Sequence, residues 1–439
     1  MSYTFRGGMH VPDYKELTCG KPIKKLEGDK VHIYPLQQHI GAPLDLKVAV
    51  GDSVKVGQVL ADSDAFVSTP VHSSVSGKVS AIKPYLHPSG AKVTSVFVEN
   101  DFEYALSEDI HPYNPDKMTR EEMLAVIRNA GIVGMGGAGF PTHVKLSPPP
   151  EKKIDYLIVN GAECEPYITA DHRRMLETPD MIIDGIQIVL KILGLSCGYI
   201  GIETNKKDAI EIMTKKAQEA GNIKVCPLKP KYPQGAEKQL IYAVSKRQVP
   251  SGGLPADAGA IVINIDTVSQ ISLAFRKGMP LTRRIVTVSG DCIAEPANFE
   301  VYTGVTFEYL IQVAGGFSKD VKKLIMGGPM MGIAQYSTEP PVVKTTSSLL
   351  ALSAEGGGYD DYSPCIRCGR CVDHCPMHLM PLYLSKFSLD GDLEKAEEYN
   401  VLDCIECGLC SYLCPGKQGP LHNIRVAKQQ ILENRRKKK

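Results

Sequence analysis

Short β-branched runs separated by glycine-bearing turns fill residues 31–98, and this alternation predicts a small all-β domain. The runs fall at 48–50, 54–59, 79–82 and 93–98, and Gly51-Asp52, Gly57, Ser76-Gly77 and Ser89-Gly90 punctuate them. Residues 1–30, polar and glycine-containing, read as an irregular arm. At 118–130 the period changes. Met123, Leu124, Ile127 and Ala130 recur at helical spacing; Thr119 with Glu121 and Glu122 marks the start and Gly131 the stop. Strand 156–159, helix 181–193, strand 199–203, helix 207–220 and strand 223–228 then alternate. That order belongs to an α/β domain with a mainly parallel sheet. From about 281 strands return (285–289), followed by one helix near 307–313 and a glycine-rich stretch at 315–332, a small α+β unit. Gly356-Gly357-Gly358 marks a linker, and the chain ends in a basic, solvated tail.

Length fixes the scale: at ~150 residues per domain, 439 residues make about three domains or four small ones. Lys and Arg number 50 against 49 Asp and Glu, a net charge of +1 that excludes a general nucleic-acid surface. No run reaches the ~18 uninterrupted apolar residues of a membrane span. Residues 181–202 come nearest, and Asp184, Gln187 and Lys191 interrupt them. The first residues hold no apolar signal-peptide core. The expectation is a cytoplasmic protein that meets a membrane only through partners.

Of 13 cysteines, five (Cys19, Cys164, Cys197, Cys226, Cys292) stand alone and eight crowd between Cys365 and Cys414. A disulfide scaffold would spread its pairs, so the crowding points to metal in a reducing compartment. Cys365, Cys368, Cys371 and Cys375-Pro376 spell C-x2-C-x2-C-x3-C-P, and Cys404, Cys407, Cys410 and Cys414-Pro415 repeat it. Two-residue gaps let one tight loop reach three corners of an iron–sulfur cubane but not the fourth, which the other motif supplies. The spacing therefore assigns Cys365, Cys368, Cys371 and Cys414 to one [4Fe–4S] cluster, and Cys375, Cys404, Cys407 and Cys410 to another. Zinc knuckles would separate their C-x2-C pairs more widely. Helix-like stretches at 379–386 and 393–399 make the ferredoxin unit α-helical.

Gly134-Met135-Gly136-Gly137-Ala138-Gly139 fits G-x-G-x-x-G, yet a helix and not a strand precedes it, against a dinucleotide fingerprint. Phe140-Pro141-Thr142 and Lys145 add an aromatic face, a helix start and a cation beside exposed amides, a setting for phosphate with an attached ring. Asn160 to Pro166, with Glu163 and Glu165, follows the strand at 156–159, at the strand end where open α/β sheets bind ligands. A ligand-free glycine turn and a solvated acidic loop are the plainer readings of the two pieces.

These residues carry a resemblance. G-x-G-G-A-G-F-P-T-x-x-K at 134–145 is similar to the flavin and NADH loop of the flavin-bearing subunit of respiratory complex I and its hydrogenase relatives. N-x-x-E-x-E-P at 160–166, Tyr232-Pro233-Gln234-Gly235-Ala236-Glu237 and Asn264-Ile265-Asp266-Thr267 resemble that family's further motifs. The match implies FMN contacts for Gly134, Gly136, Lys145, Asn160, Glu163, Gly235 and Asn264, with Gly137 and Gly139 completing the loop. It implies NADH contacts for Phe140, Glu165 and Glu237. Met135, Ala162, Cys164 and Ala236 depart from the pattern. G-D-x-V-x-x-G-Q at 51–58 and PVHSSVSGKV at 70–79 resemble the barrel-sandwich fold of lipoyl and biotinyl carriers. The tip where carriers hold a modifiable lysine falls near Ala65 and Phe66, without a Lys, so a structural or docking role is expected.

The expected architecture is a multidomain α/β chain: arm 1–30, barrel-sandwich 31–112, complex-I-like FMN/NADH α/β domain 113–280, soluble-ligand-binding β-grasp domain 281–350, α-helical two-cluster ferredoxin domain 355–430 and basic tail 431–439. It looks like the C subunits of Rnf ion-translocating ferredoxin:NAD oxidoreductases. Cobalamin reductases carry the same parts with the barrel-sandwich after the clusters. The resemblance implies electron transfer between NAD(H), FMN and the two clusters, and a peripheral place on the cytoplasmic side of a bacterial membrane. It also implies ferredoxin-like and membrane-integral partner subunits and no nucleic acid. NADH gives electrons as a hydride pair and each cluster takes one, so a flavin is chemically needed between them, and no side chain need be nucleophile or general acid. A soluble flavin and iron–sulfur reductase, and a relay scaffold with a degenerate nucleotide site, are the alternatives.

Overall fold

The computed structural model describes residues 3–357 and 363–437. Gly358 of the expected linker and the ends of the expected arm and tail (1–2, 438–439) lie outside the described residues.

The β domain comprises β2 (Val31–Pro35), β3 (Asp45–Leu46), β4 (Ser53–Val54), β5 (Val59–Asp62), β6 (Val71–His72), β7 (Gly77–Leu86) and β8 (Lys92–Asn100), with β1 (Lys24–Lys25) in the arm. The run at 48–50 forms no strand, and of 54–59 only the two ends do. One sheet has the order β2-β8-β7-β4 and another β3-β5-β6. Tyr34, Leu60, Val71, Val79, Val96 and Val98, drawn from both, share one core, as period-two alternation requires of a sandwich.

The α/β domain runs α1 (Arg120–Asn129), α2 (Thr142–Lys145), β9 (Tyr156–Gly161), α3 (Ala170–Glu177), α4 (Pro179–Leu193), β10 (Gly198–Glu203), α5 (Lys207–Ala220), β11 (Ile223–Leu228), α6 (Glu237–Ser245), β12 (Ala260–Asn264) and α7 (Ile265–Lys277). Thr119 and Glu122 close a reciprocal capping box on α1. The sheet is parallel, ordered β11-β10-β9-β12. Leu157 and Val159 enter the core beneath α1, α4 and α7, and Ile158 between them enters the core beneath α6. Both faces are covered, which explains why these strands are continuously apolar. The polar breaks in α4 are all used: Asp184 meets Arg276, Gln187 meets Asn222, and Lys191 meets Asp116. Gly185 lets α4 press on α7, since a Cβ there would collide with the Val268 carbonyl.

A six-stranded sheet follows, ordered β1-β14-β13-β17-β15-β16, from β13 (Arg283–Ser289), β14 (Ala297–Tyr302), β15 (Lys323–Met326), β16 (Ile333–Gln335) and β17 (Ser348–Leu352). The arm thus supplies its edge strand. α8 (Phe307–Val313) covers it with Phe307, Leu310 and Ile311. The last unit is helical: α10 (Arg370–Asp373), α11 (Pro381–Asp390), α12 (Leu393–Glu398), α13 (Leu409–Tyr412) and α14 (Pro420–Lys437), after a single turn, α9 (Ala354–Gly357).

Two further expectations are corrected. The linker begins as α9. The expected tail from 431 is, through Lys437, the end of α14: Ile431 packs with Leu384 and Val401, and Arg435 pairs with Glu397 at 2.6 Å. A run of basic residues gave no sign of that internal packing.

Candidate functional site

The strand order reverses at β9. From β9 the chain adds β10 and β11 on one side, then crosses back to place β12 on the other. Such a switch point opens a crevice outside the carboxyl ends of two strands. Asn160 is the last residue but one of β9, Asn264 ends β12, and the two are register partners. Asn160 Nδ2 donates to the Gly235 carbonyl (2.8 Å), and Asn264 Nδ2 donates to Asp171 Oδ2 (2.7 Å). Burial raises the Asp171 carboxyl to about 8, with Glu163 and Asp266 adding to it.

The glycine-rich loop closes over this crevice. Gly134 N donates to the Phe140 carbonyl (2.8 Å), pinching residues 134–140 into a hairpin-like loop, and Gly136, Gly137 and Ala138 form its exposed tip. Gly136 lies on the Asn264 side chain. Gly137 has φ +135 and open space where a Cβ would stand, a cradle that backbone amides can present to phosphate. Met135 is turned inward with Val133 and Leu281; its carbonyl accepts from Arg284 Nη2 (3.1 Å), a buried arginine delivered by β13 and paired with Asp266. Lys145 Nζ lies 2.6 Å from Glu237 and 2.8 Å from the Val262 carbonyl. Gly134, Gly136, Gly137, Phe140, Lys145, Asn160, Gly235, Glu237 and Asn264 are therefore gathered about the strand ends of β9 and β12, whereas Gly139 is buried against Thr345 and Gln38 of the neighbouring units. The donors and the uncrowded loop tip fit an FMN phosphate and ring.

The two acids of the following loop are committed elsewhere. Glu163, at φ +47, accepts from the Asp171 and His172 amides that open α3, and Lys15 of the arm lies 4.0 Å away. Lys15 Nζ also donates to the carbonyls of Glu165 and Ile168. Glu165 points to a junction of three units. Its Oε2 accepts from Met330 N of the β-grasp unit (3.1 Å), and its Oε1 lies 3.3 Å from the Tyr232 hydroxyl. That hydroxyl donates to the Cys407 carbonyl (2.7 Å). Burial raises Glu165 to about 7. Lys15 and Tyr232 were absent from the expected site. Tyr232 stands in a quoted motif and could have been found there; Lys15, in a polar arm, carries no local signal.

Cys371, Cys375, Cys404, Cys407 and Cys410 line one cavity. Burial raises Cys404, Cys407 and Cys410, and neighbouring sulfurs, Cys375 among them, raise each further. A cationic centre that binds thiolates relieves both effects. Among the described residues no three Cys, His, Asp or Glu side chains converge on a single-ion site; sulfurs spaced around a cavity suit a multi-iron cluster. Cys365 and Cys368 are exposed, as is the whole run 363–368, and Ser363 N bonds the Gly416 carbonyl beside Cys414. The inner set abuts the α/β domain: Gln239 Nε2 donates to the Pro376 carbonyl (3.0 Å), and Ser251 and Gly252 hold Asp403.

A strand-end nucleotide crevice wired by direct contact to a cysteine loop of ferredoxin type defines a flavin and iron–sulfur electron-transfer protein. Domain comparisons agree. The chain matches the RnfC barrel sandwich hybrid domain over residues 3–103, the Nuo51 FMN-binding domain over 127–273, the SLBB domain over 285–334 and a 4Fe-4S dicluster domain over 358–415. It is 46% identical over 435 residues to the C subunit of the Na(+)-translocating ferredoxin:NAD(+) oxidoreductase complex of Acetobacterium woodii, covering 99% of this chain and 98% of that one. It is 50% identical over 406 residues to the C subunit of the proton-translocating ferredoxin:NAD(+) oxidoreductase complex of Clostridium ljungdahlii, covering 92% and 88%. The chain belongs to the C-subunit family of ion-translocating ferredoxin:NAD(+) oxidoreductase complexes. An NAD+-reducing [NiFe]-hydrogenase crystal structure is similar in fold alone, at TM-score 0.50 and 15% identity over 74% of this chain and 68% of that one.

Proposed function

We propose that this chain is the subunit at which NAD(H) exchanges electrons with an ion-translocating oxidoreductase complex, through FMN and two [4Fe–4S] clusters. FMN, when bound, lets a hydride pair be exchanged for single electrons. The amides of Gly136, Gly137 and Ala138, at the exposed tip, hold phosphate, Lys145 stands ion-paired with Glu237 beside it, and Asn160 and Asn264 orient polar ring edges from adjacent strand ends. Gly235 stays small because a Cβ would stand 3.2 Å from Cys164 Sγ. Cys375, Cys404, Cys407 and Cys410 hold the inner cluster, and Cys365, Cys368, Cys371 and Cys414 the outer one. The observation that carries the reading is the Tyr232 hydroxyl on the Cys407 carbonyl, which joins the nucleotide crevice to the inner cysteine loop. No helix among the described residues is long and apolar enough to cross a membrane. The chain sits peripherally on the cytoplasmic face, held by membrane-integral and ferredoxin-like partner subunits.

Anaerobically purified protein tests this. Flavin in the preparation, bleached by NADH together with the cluster absorbance, is expected. Clusters with neither flavin nor NADH bleaching would instead make the chain a relay scaffold. On membranes, high salt without detergent should release it, because docking through partners is partly electrostatic.

A further inference from the structure

The arm runs along the seam between the nucleotide domain and the inner cysteine loop, with Phe5 and Val11 buried and Arg6 and His10 exposed. Tyr3 bridges Leu228 at the end of β11, and Lys231 Nζ donates to the Phe5 carbonyl (3.0 Å) while lying over the Phe5 ring. Met9 and Tyr232 exchange both backbone hydrogen bonds, at 3.0 and 2.8 Å. On the opposite side Gly8 N donates to the His374 carbonyl (3.0 Å), the residue before Cys375. Val11 then packs with Tyr232, Cys407 and Leu409. The passage is tight enough to require glycine. Gly7 has φ +75, and a Cβ there would stand 2.7 Å from the Cys375 carbonyl; Gly8 has φ +66, with its Cβ position 2.5 Å from the Tyr232 carbonyl.

We propose that Arg6 to Val11 is a positioning strap. It fixes the Cys375 and Cys407 loops against Tyr232, and so sets the separation, packing and dryness of the gap between the flavin site and the inner cluster. Electron tunnelling falls steeply with separation, and cluster potentials respond to solvent exposure. A strap bonded at once to Tyr232 and to His374 governs both. The outer cluster is not touched by the strap in any of these contacts. This inference rests on the electron-transfer reading above, but its first readout does not.

The test uses the full chain carrying its clusters. Gly7→Val drives a branched side chain against Cys375, and a second variant removes residues 2–9. Gly20→Val, in open space, is the control. In dithionite-reduced protein the paramagnetic resonance signal of one centre, the inner one, should change in both variants while the other centre and the flavin content stay. With NADH as reductant, flavin bleaching should persist and reduction of the inner centre should slow at least tenfold. An unaltered inner-centre spectrum with an unaltered rate overturns the proposal, as does loss of both centres together. If the unmodified chain neither holds flavin nor reacts with NADH, the functional reading falls, and the dithionite spectrum still decides the strap.

Discussion

Asn160 and Asn264 stand 104 positions apart in the chain (264 − 160) and become direct partners across two strand ends. Each was readable from its own motif; their pairing was not, because no local pattern says which strand lies beside which. Lys15 shows the opposite case. A lysine in a polar arm reads as solvated, yet it is buried against carbonyls 150 residues away, and burial lowers its pKa. Gly137 is the residue whose demand is sharpest. With φ +135, a branched side chain is strained whatever room it finds, and it would also stand in the open space where we propose that the phosphate binds. Gly137→Val should remove most bound FMN and lower NADH oxidation roughly tenfold or more, a loss of about 1.4 kcal/mol in transition-state binding at least. Iron content should remain unchanged. Retained flavin and activity would place the phosphate elsewhere.

At the level of elements, the strongly periodic pieces were legible: α1 with its capping box, α4, α5, β10, β11 and α8 lie where the pattern sets them, within a few residues. α3, α6 and α7 escaped because long-range partners fix them; α3, for instance, is opened by Glu163 from a separate loop. The barrel-sandwich tip also gains its meaning only in three dimensions. Phe66, near the carrier-lysine position, accepts a hydrogen bond from His143 of α2 through its carbonyl (3.0 Å), and Arg128 of α1 grips Asp62 with two bonds. The tip is therefore docked beside the glycine-rich loop. His72 and Lys344 are buried in this contact. Burial lowers His72 to about 3 and His39 to about 4, and Lys344 contributes to both shifts. Each histidine stays neutral when folded and takes up a proton on unfolding below about 6.5. The unfolded chain then binds more protons, so stability rises with pH through that window and is lost as pH falls toward 4. The raised carboxyls of Asp171 and Glu165 act in the opposite sense over the same window, so the histidine part is read by difference. In thermal unfolding followed by circular dichroism from pH 7 to pH 5, His72→Leu should lose less stability, or gain more, than the unmodified chain. An equal change in His72→Leu would remove His72 from the cause.

Across the whole molecule the units line up as a path. The nucleotide crevice meets Tyr232, Tyr232 meets the cysteine loop of Cys407, and Cys365 and Cys368 of the first cysteine motif are exposed to solvent. The order of domains along the chain was legible, but their order in space was not, since nothing local places the arm or Glu165 at the seam. This spatial order makes the crossed ligand sets testable as a wire. Cys375 follows the first motif, yet shares its cavity with Cys404, Cys407 and Cys410. Cys375→Ala should therefore damage the inner centre, as Cys404→Ala does, whereas Cys414→Ala should resemble Cys365→Ala. Each variant should retain about four irons of the eight that two cubanes contain. The consequences for electron flow then differ. With the outer centre lost, NADH should still reduce the remaining inner centre at the unmodified rate. With the inner centre lost, the outer centre should respond to dithionite but only slowly to NADH, because the segment of the path beside Tyr232 is gone. Paramagnetic resonance after rapid freezing reads both. If Cys375→Ala leaves fast reduction of the remaining centre by NADH, either the sets are not crossed or the exposed centre is the one that faces the flavin, and the spectral match of Cys375→Ala to Cys404→Ala or to Cys365→Ala separates the two.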